Sequence, residues 1–151
     1  MDLNTFESKL KELNNWTDQL MLLVDKSASK ENLLSKLNSA GYTCINLNQE
    51  LSEALLDKPV DKRPVFANQI LNEIIKIHET STIILYNIEI LFETSLKIDP
   101  LKALKNISRI KKAVSFWPGD VNEEGFFYAS PDHPEYRYYN LKTEIIKIIQ
   151  I

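Results

Sequence analysis

The chain has 151 residues, 44% hydrophobic and 26% charged, which suits one domain with a real core and excludes a disordered chain. A net charge of -3 gives no overall field toward nucleic acid or anionic lipid, although a local basic patch is compatible with it. The single cysteine, Cys44, excludes an internal disulfide, no stretch reaches the length of a membrane span, and no basic-then-apolar leader opens the chain, so a reducing cytoplasm is the expected compartment.

In chain order, Leu3, Phe6, Leu10 and Leu13 recur at helical spacing, which predicts an amphipathic helix over residues 2–14. Leu20–Val24 is an uninterrupted apolar run and reads as a buried parallel strand. A polar loop follows, and then a helix over about 30–39 with Leu33, Leu34 and Leu37 on one face and Gly41 at its C-terminal end. Residues 42–46 read as a second short strand, with Cys44 as a buried, inert thiol. Residues 47–56 and 65–79 read as helices, separated by a turn between Pro59 and Pro64; His78 falls on the face of the second helix.

Residues 82–86 predict the next buried strand, and 88–92 a single helical turn. Asp99-Pro100 marks a helix start, with Asp as N-cap and Pro at the first helical position, running to about residue 110. A strand over 112–117 stops at Pro118-Gly119, and 125–128 reads as another short strand. A turn-rich loop at 130–135 leads to an extended segment from 137, and the paired isoleucines of 144–149 suit a final strand or a packing helix. Strands alternating with helices predict βαβ units and a parallel sheet with helices on both faces.

Four constellations could carry chemistry. The residues Asp25 to Asn32 lie where a phosphate-binding loop would lie, but that motif requires two glycines, a lysine and a hydroxyl. Asp25 and Lys30 stand at the glycine positions, Glu31 at the lysine and Asn32 at the hydroxyl. Lys26, Lys30, Ser27 and Ser29 supply donors outside the motif register; the alternative is a capped helix start, with Ser27 or Ser29 as N-cap. The second constellation is the strand ending in Tyr86, followed by Asn87 and Glu89. A magnesium-holding strand ends in Asp, and a phenol does not replace that carboxylate.

The third is Arg109, which could reach a neighbouring subunit's phosphate or satisfy its own helix end. The fourth is the aromatic, proline-rich stretch from Trp117 through Tyr128, His133, Glu135, Tyr136 and Arg137. A single histidine among carboxylates could suggest a metal or an acid–base pair, but aromatic and proline density favours a partner surface or a fold clamp. No residue is assigned as catalytic and no metal site is read.

The runs Asn46–Leu56, Asn87–Phe92, Asp99–Leu101, Ile107–Arg109, Trp117–Gly119 and His133–Arg137, in this order, resemble the small P-loop protein BrxF of bacteriophage-exclusion (BREX) defence systems. The resemblance spans about 20–139, and His133-Pro-Glu-Tyr-Arg137 is its most specific piece. It implies a P-loop NTPase-like sheet of about five strands flanked by helices. The chain reads as a single domain: an N-terminal amphipathic helix at 1–15, a P-loop-like α/β core at 16–139 and a C-terminal packing segment at 140–151. The resemblance also implies membership of an apparatus containing a DNA methyltransferase, a large ATPase and a phosphatase-like protein. The family carries a glycine-rich loop and a strand-terminal Asp, and this chain has neither. The expectation is therefore a non-catalytic accessory subunit without cofactor, partnered with other defence proteins, the large ATPase among them, or with copies of itself. Direct nucleic-acid binding is not expected. The alternative is an atypical ATPase in which Lys26, Lys30 and the serines grip ATP with magnesium, Glu89 orients water and Arg109 acts in trans.

Overall fold

The computed structural model describes all residues 1–151. Five helices, α1 (Leu3–Glu12), α2 (Lys30–Ser39), α3 (Leu47–Leu55), α4 (Arg63–Lys76) and α5 (Pro100–Ile110), alternate with strands β1 (Leu20–Val24), β2 (Thr43–Asn46), β3 (Thr82–Tyr86) and β4 (Lys112–Trp117). Four further strands follow: β5 (Asp120–Val121), β6 (Gly125–Tyr128), β7 (Arg137–Asn140) and β8 (Lys147–Gln150). The main sheet has the order β2-β3-β4-β1-β8 and is parallel throughout. This is an α/β architecture with helices on both faces, consistent with a P-loop-like fold.

Alternation along the strands divides the core in two. Met21, Leu23, Ile84, Val114 and Phe116 turn to one face and pack with Phe6, Leu10 and Leu13 and with Leu33, Leu34 and Leu37 of α2. Leu20, Leu22, Val24, Ile83, Leu85, Ala113 and Trp117 turn to the other, under α3, α4 and α5. Burying the three α2 leucines is worth about 5–9 kcal/mol as an upper bound, so packing rather than helix propensity sets where α2 lies. At α5 the local prediction holds in detail: Asp99 Oδ1 accepts from Lys102 N–H at 3.1 Å and Pro100 opens the helix.

The adjacent strands β1 and β4 send their chains in opposite directions from their carboxyl ends, β1 toward β2 and β4 toward β8. Their carboxyl ends thus meet at a topological switch point, where open α/β sheets place their sites. In register, Val24 stands beside Trp117 there.

Three boundaries differ from the sequence reading. β8 is the fifth strand of the main sheet, paired with β1, so the core extends past residue 139 and 140–151 is not merely a packing segment. Strand 125–128 belongs instead to a separate antiparallel sheet, β5-β6-β7, inserted between β4 and β8. Helix α4 ends at Lys76, so His78 lies in the turn before β3 rather than on a helix face.

Candidate functional site

The loop between β1 and α2 is the sequence-predicted site, and most of its donors are engaged by the chain itself. Asp25 leaves β1 with its carboxylate turned back on the start of α2. Its Oδ1 accepts from Ser29 N–H at 2.9 Å and from the Ser29 hydroxyl at 3.5 Å, while Oδ2 accepts from Lys30 N–H at 3.2 Å. Ala28, at φ +54°, supplies the left-handed kink within this turn. Burial alone would raise the Asp25 pKa, but the N–H groups of Ser29, Lys30 and Ser27 outweigh it and hold the carboxyl below its ordinary 3.8. A carboxylate therefore stands where the first amides of α2 would meet an anion.

The expectation of a serine cap is corrected by this geometry. Ser29 occupies the N-cap position but makes no side-chain capping bond, and the Ser27 hydroxyl donates only to Ser29 Oγ at 3.2 Å. Two further loop amides are also taken. Lys26 N–H and Ser27 N–H donate to the Ile151 carbonyl at 2.6 and 3.1 Å, and Ile151 N–H donates to the Val24 carbonyl at 2.8 Å. The segment after β8 thus lies across the loop.

Both lysines are likewise committed. The Lys26 ammonium pairs with Asp120 on β5. Lys30 Nζ donates to Asn87 Oδ1 at 3.0 Å and lies 5.9 Å from the centre of the Phe116 ring. The structure therefore brings Lys30 and Asn87 together, bridging the ends of β1 and β3. Asn32 is exposed on the first turn of α2 and takes no part in these hydrogen bonds.

Tyr86 ends β3 half-buried, in register with Asn46. Beyond it, Asn87 adopts φ +49° and its carbonyl accepts from Asn48 N–H at 2.8 Å. The Asn48 side chain completes a clamp: Nδ2 donates to Glu89 Oε2 at 2.9 Å and Oδ1 accepts from Ile90 N–H at 2.7 Å. Asn48 was not among the sequence-predicted residues. Its signal was a position two residues beyond the cap Asn46, at the carboxyl end of β2. Glu89 lines a cavity of about 250 Å³ with Glu93 and Glu135. No group of three His, Cys, Asp or Glu side chains converges to hold a metal ion.

Arg109 lies in the last turn of α5, just before β4 begins, while the loop at 25–29 follows the carboxyl end of β1. The two are at opposite ends of the sheet, and Arg109 donates to Asn106 Oδ1 at 3.0 Å.

The aromatic stretch is mostly a clamp within the fold, which corrects the expectation of a partner surface at Trp117. Trp117 is 3% exposed, and its indole N–H donates to the Phe127 carbonyl at 3.0 Å. Its ring meets Phe92, Phe126 and Tyr139 edge-on at 5.4, 5.1 and 6.0 Å. Tyr128 packs on Phe92 at 4.0 Å, half-buried. Arg137 donates to the Ile98 carbonyl at 3.1 Å and faces Asp99 at 3.9 Å, so it too serves the fold.

His133 is exposed, and its Nδ1 accepts from Glu135 N–H at 3.0 Å, while Asp132 accepts from the Ser130 hydroxyl. Tyr136 N–H donates to the His133 carbonyl at 3.0 Å. These are turn-forming bonds and do not assemble an acid–base pair. Cys44 is half-buried on β2, where burial raises its thiol pKa above the ordinary 9.0. No helix is long and apolar enough to cross a membrane.

No protein-family model, curated protein or solved structure matches the chain. Fold and site together describe a parallel α/β protein whose phosphate-loop position is filled by its own carboxylate.

Proposed function

We propose that this chain is a BrxF-like, non-catalytic accessory subunit of a BREX-type anti-phage defence system, acting in the cytoplasm by docking onto other proteins. The observation that carries the reading is the closed state of the β1–α2 loop. Asp25 takes the Ser29 and Lys30 amides, the Ile151 carbonyl takes those of Lys26 and Ser27, and both lysine side chains bond within the chain. A nucleotide phosphate would have to displace a carboxylate of like charge and break these bonds, with no glycine to let the backbone reshape. Tyr86 offers a phenol where magnesium chemistry requires a carboxylate.

The docking role rests on what is exposed once Trp117 and Arg137 are assigned to the fold. The turn around Asp132, His133 and Pro134 projects from the inserted sheet, with Glu135 and Tyr136 half-buried beside it. Partners of this surface are other defence proteins, the large ATPase among them, or a second copy of the chain. Magnesium-dependent ATP turnover by the purified protein tests the reading. The proposal expects none above a buffer blank; turnover abolished by K30A would replace it with the atypical-ATPase account.

A further inference from the structure

The exposed face of α5, with the hollows on either side of it, carries a concentration of positive charge that the overall balance conceals. Three adjoining cavities of about 350, 250 and 250 Å³ run along α5, sharing Ala103, Asn106, Asp99 and Lys102 where they meet. Lys76, Lys97, Lys102 and Arg109 line them, and none of these four pairs with a carboxylate. The two acids that line these hollows are already engaged. Asp99 accepts from Tyr139 and the Lys102 amide and faces Arg137, while Glu144 accepts from Lys105 Nζ at 2.6 Å. The carboxamides of Asn68, Asn72 and Asn106 add neutral donors between the cations.

We propose that this face of α5 is a contact surface for the phosphate backbone of double-stranded nucleic acid. Lys102, Asn106 and Arg109 share one face of α5 at helical spacing. They span about 10 Å along its axis, the rise of roughly three phosphates on one strand. The lining argues against the other polyanions. A single strand needs aromatic faces for its bases, but Tyr139, the one ring at the margin, is 9% exposed with its hydroxyl bonded to Asp99. An acidic peptide needs an apolar anchor pocket, but Leu71, Ala103 and Ile107 are 3%, 6% and 1% exposed, which leaves half-buried Ile110 as the one apolar contact. Cations with amides and no free stacking ring match a contact to the phosphate backbone.

Fluorescence anisotropy with a labelled DNA duplex tests this. Contact with three to four phosphates predicts that log K falls with log salt at a slope of roughly -2.7 to -3.6, about 40- to 150-fold between 50 and 200 mM salt. The double variant K102E/R109E, both positions exposed, should weaken binding by at least about tenfold and flatten the slope by about 2, with an unchanged melting temperature. K36E, a charge reversal on exposed Lys36 of α2, should leave binding within about twofold of a single surface-charge effect. Absence of duplex binding at low salt overturns the proposal. So does binding unmoved by K102E/R109E, or tighter binding to a single strand or to polyglutamate. The protein-docking reading above stands or falls separately, because its surface is the turn at 132–136.

Discussion

Replacing Asp25 by alanine removes both carboxylate bonds to the first amides of α2 and leaves Ser29 N–H and Lys30 N–H without a partner from the chain. Loss of a capping carboxylate at a helix start costs about 0.5–2 kcal/mol, and at the half-buried Asp25 the upper half of that range applies. For a chain of this size, about 1–2 kcal/mol lowers the melting temperature by roughly 2–8 °C. The effect depends on pH with a definite sign. The folded carboxyl titrates below its ordinary 3.8, so the unfolded chain holds the proton more readily. The stabilisation is fully present above that ordinary value and is lost as pH falls through the folded value. Melting of wild type and D25A across pH 2–7 should therefore show a constant gap above about pH 5 that narrows below about pH 4. D25N, which keeps an acceptor but not the charge, should fall between them. A D25A protein as stable as wild type at neutral pH, or a gap that persists unchanged into acid, would refute the assignment of Asp25 as the group holding the loop.

The aromatic clamp gives three further expectations. W117A should destabilise by about 3–5 kcal/mol through loss of a buried ring, whereas W117F should cost about 1–3 kcal/mol by removing the indole bond to the Phe127 carbonyl and part of the buried ring volume; chemical denaturation separates the two. Y139F loses the bond to Asp99 and should cost about 1–3 kcal/mol. Burial raises the Tyr139 pKa in the fold, so its contribution is complete below the ordinary 10.0 and is lost as pH rises toward the folded value; its tyrosinate absorbance should therefore emerge only with unfolding. A Cβ at Gly119 would stand 1.7 Å from the Phe127 carbonyl oxygen, so G119A should separate β4 from the inserted sheet and lower the melting temperature, whereas G41A meets no atom within 4 Å and is disfavoured only by its φ of +89°.

Elements governed by local chemistry were legible in the chain. The α2 leucines gave a helix over 30–39, Asp99-Pro100 gave the start of α5, and the apolar runs at 20–24 and 82–86 gave strands with those bounds. What depends on distant pairing was not. The run Lys147–Gln150 has the same pattern as a buried helical turn, and only its register beside β1 makes it a strand. Serines near a helix start are the usual caps, so the carboxylate reaching forward from Asp25 was passed over; the left-handed turn at Ala28 that allows it has no glycine to announce it. Trp117, Phe126 and Tyr139 are scattered through a proline-rich stretch that suggested a surface, and they meet only after two hairpin turns fold β6 and β7 back over β4. Lys76, Lys97 and Lys102 carry no signal in the chain, and only the packing of α4 beside α5 sets them around adjoining hollows.

The closed state of the β1–α2 loop is tested most directly by thermal denaturation of the wild-type protein with and without ATP and magnesium. A ligand that binds only the folded state at 100 times its dissociation constant adds about 2.7 kcal/mol, or roughly 5–11 °C in a chain of this size. The account predicts no rise at millimolar nucleotide, because the amides of Lys26, Ser27, Ser29 and Lys30 and both lysine ammonium groups are already bonded within the chain. A rise that grows with the logarithm of nucleotide concentration and disappears in K30A would contradict it.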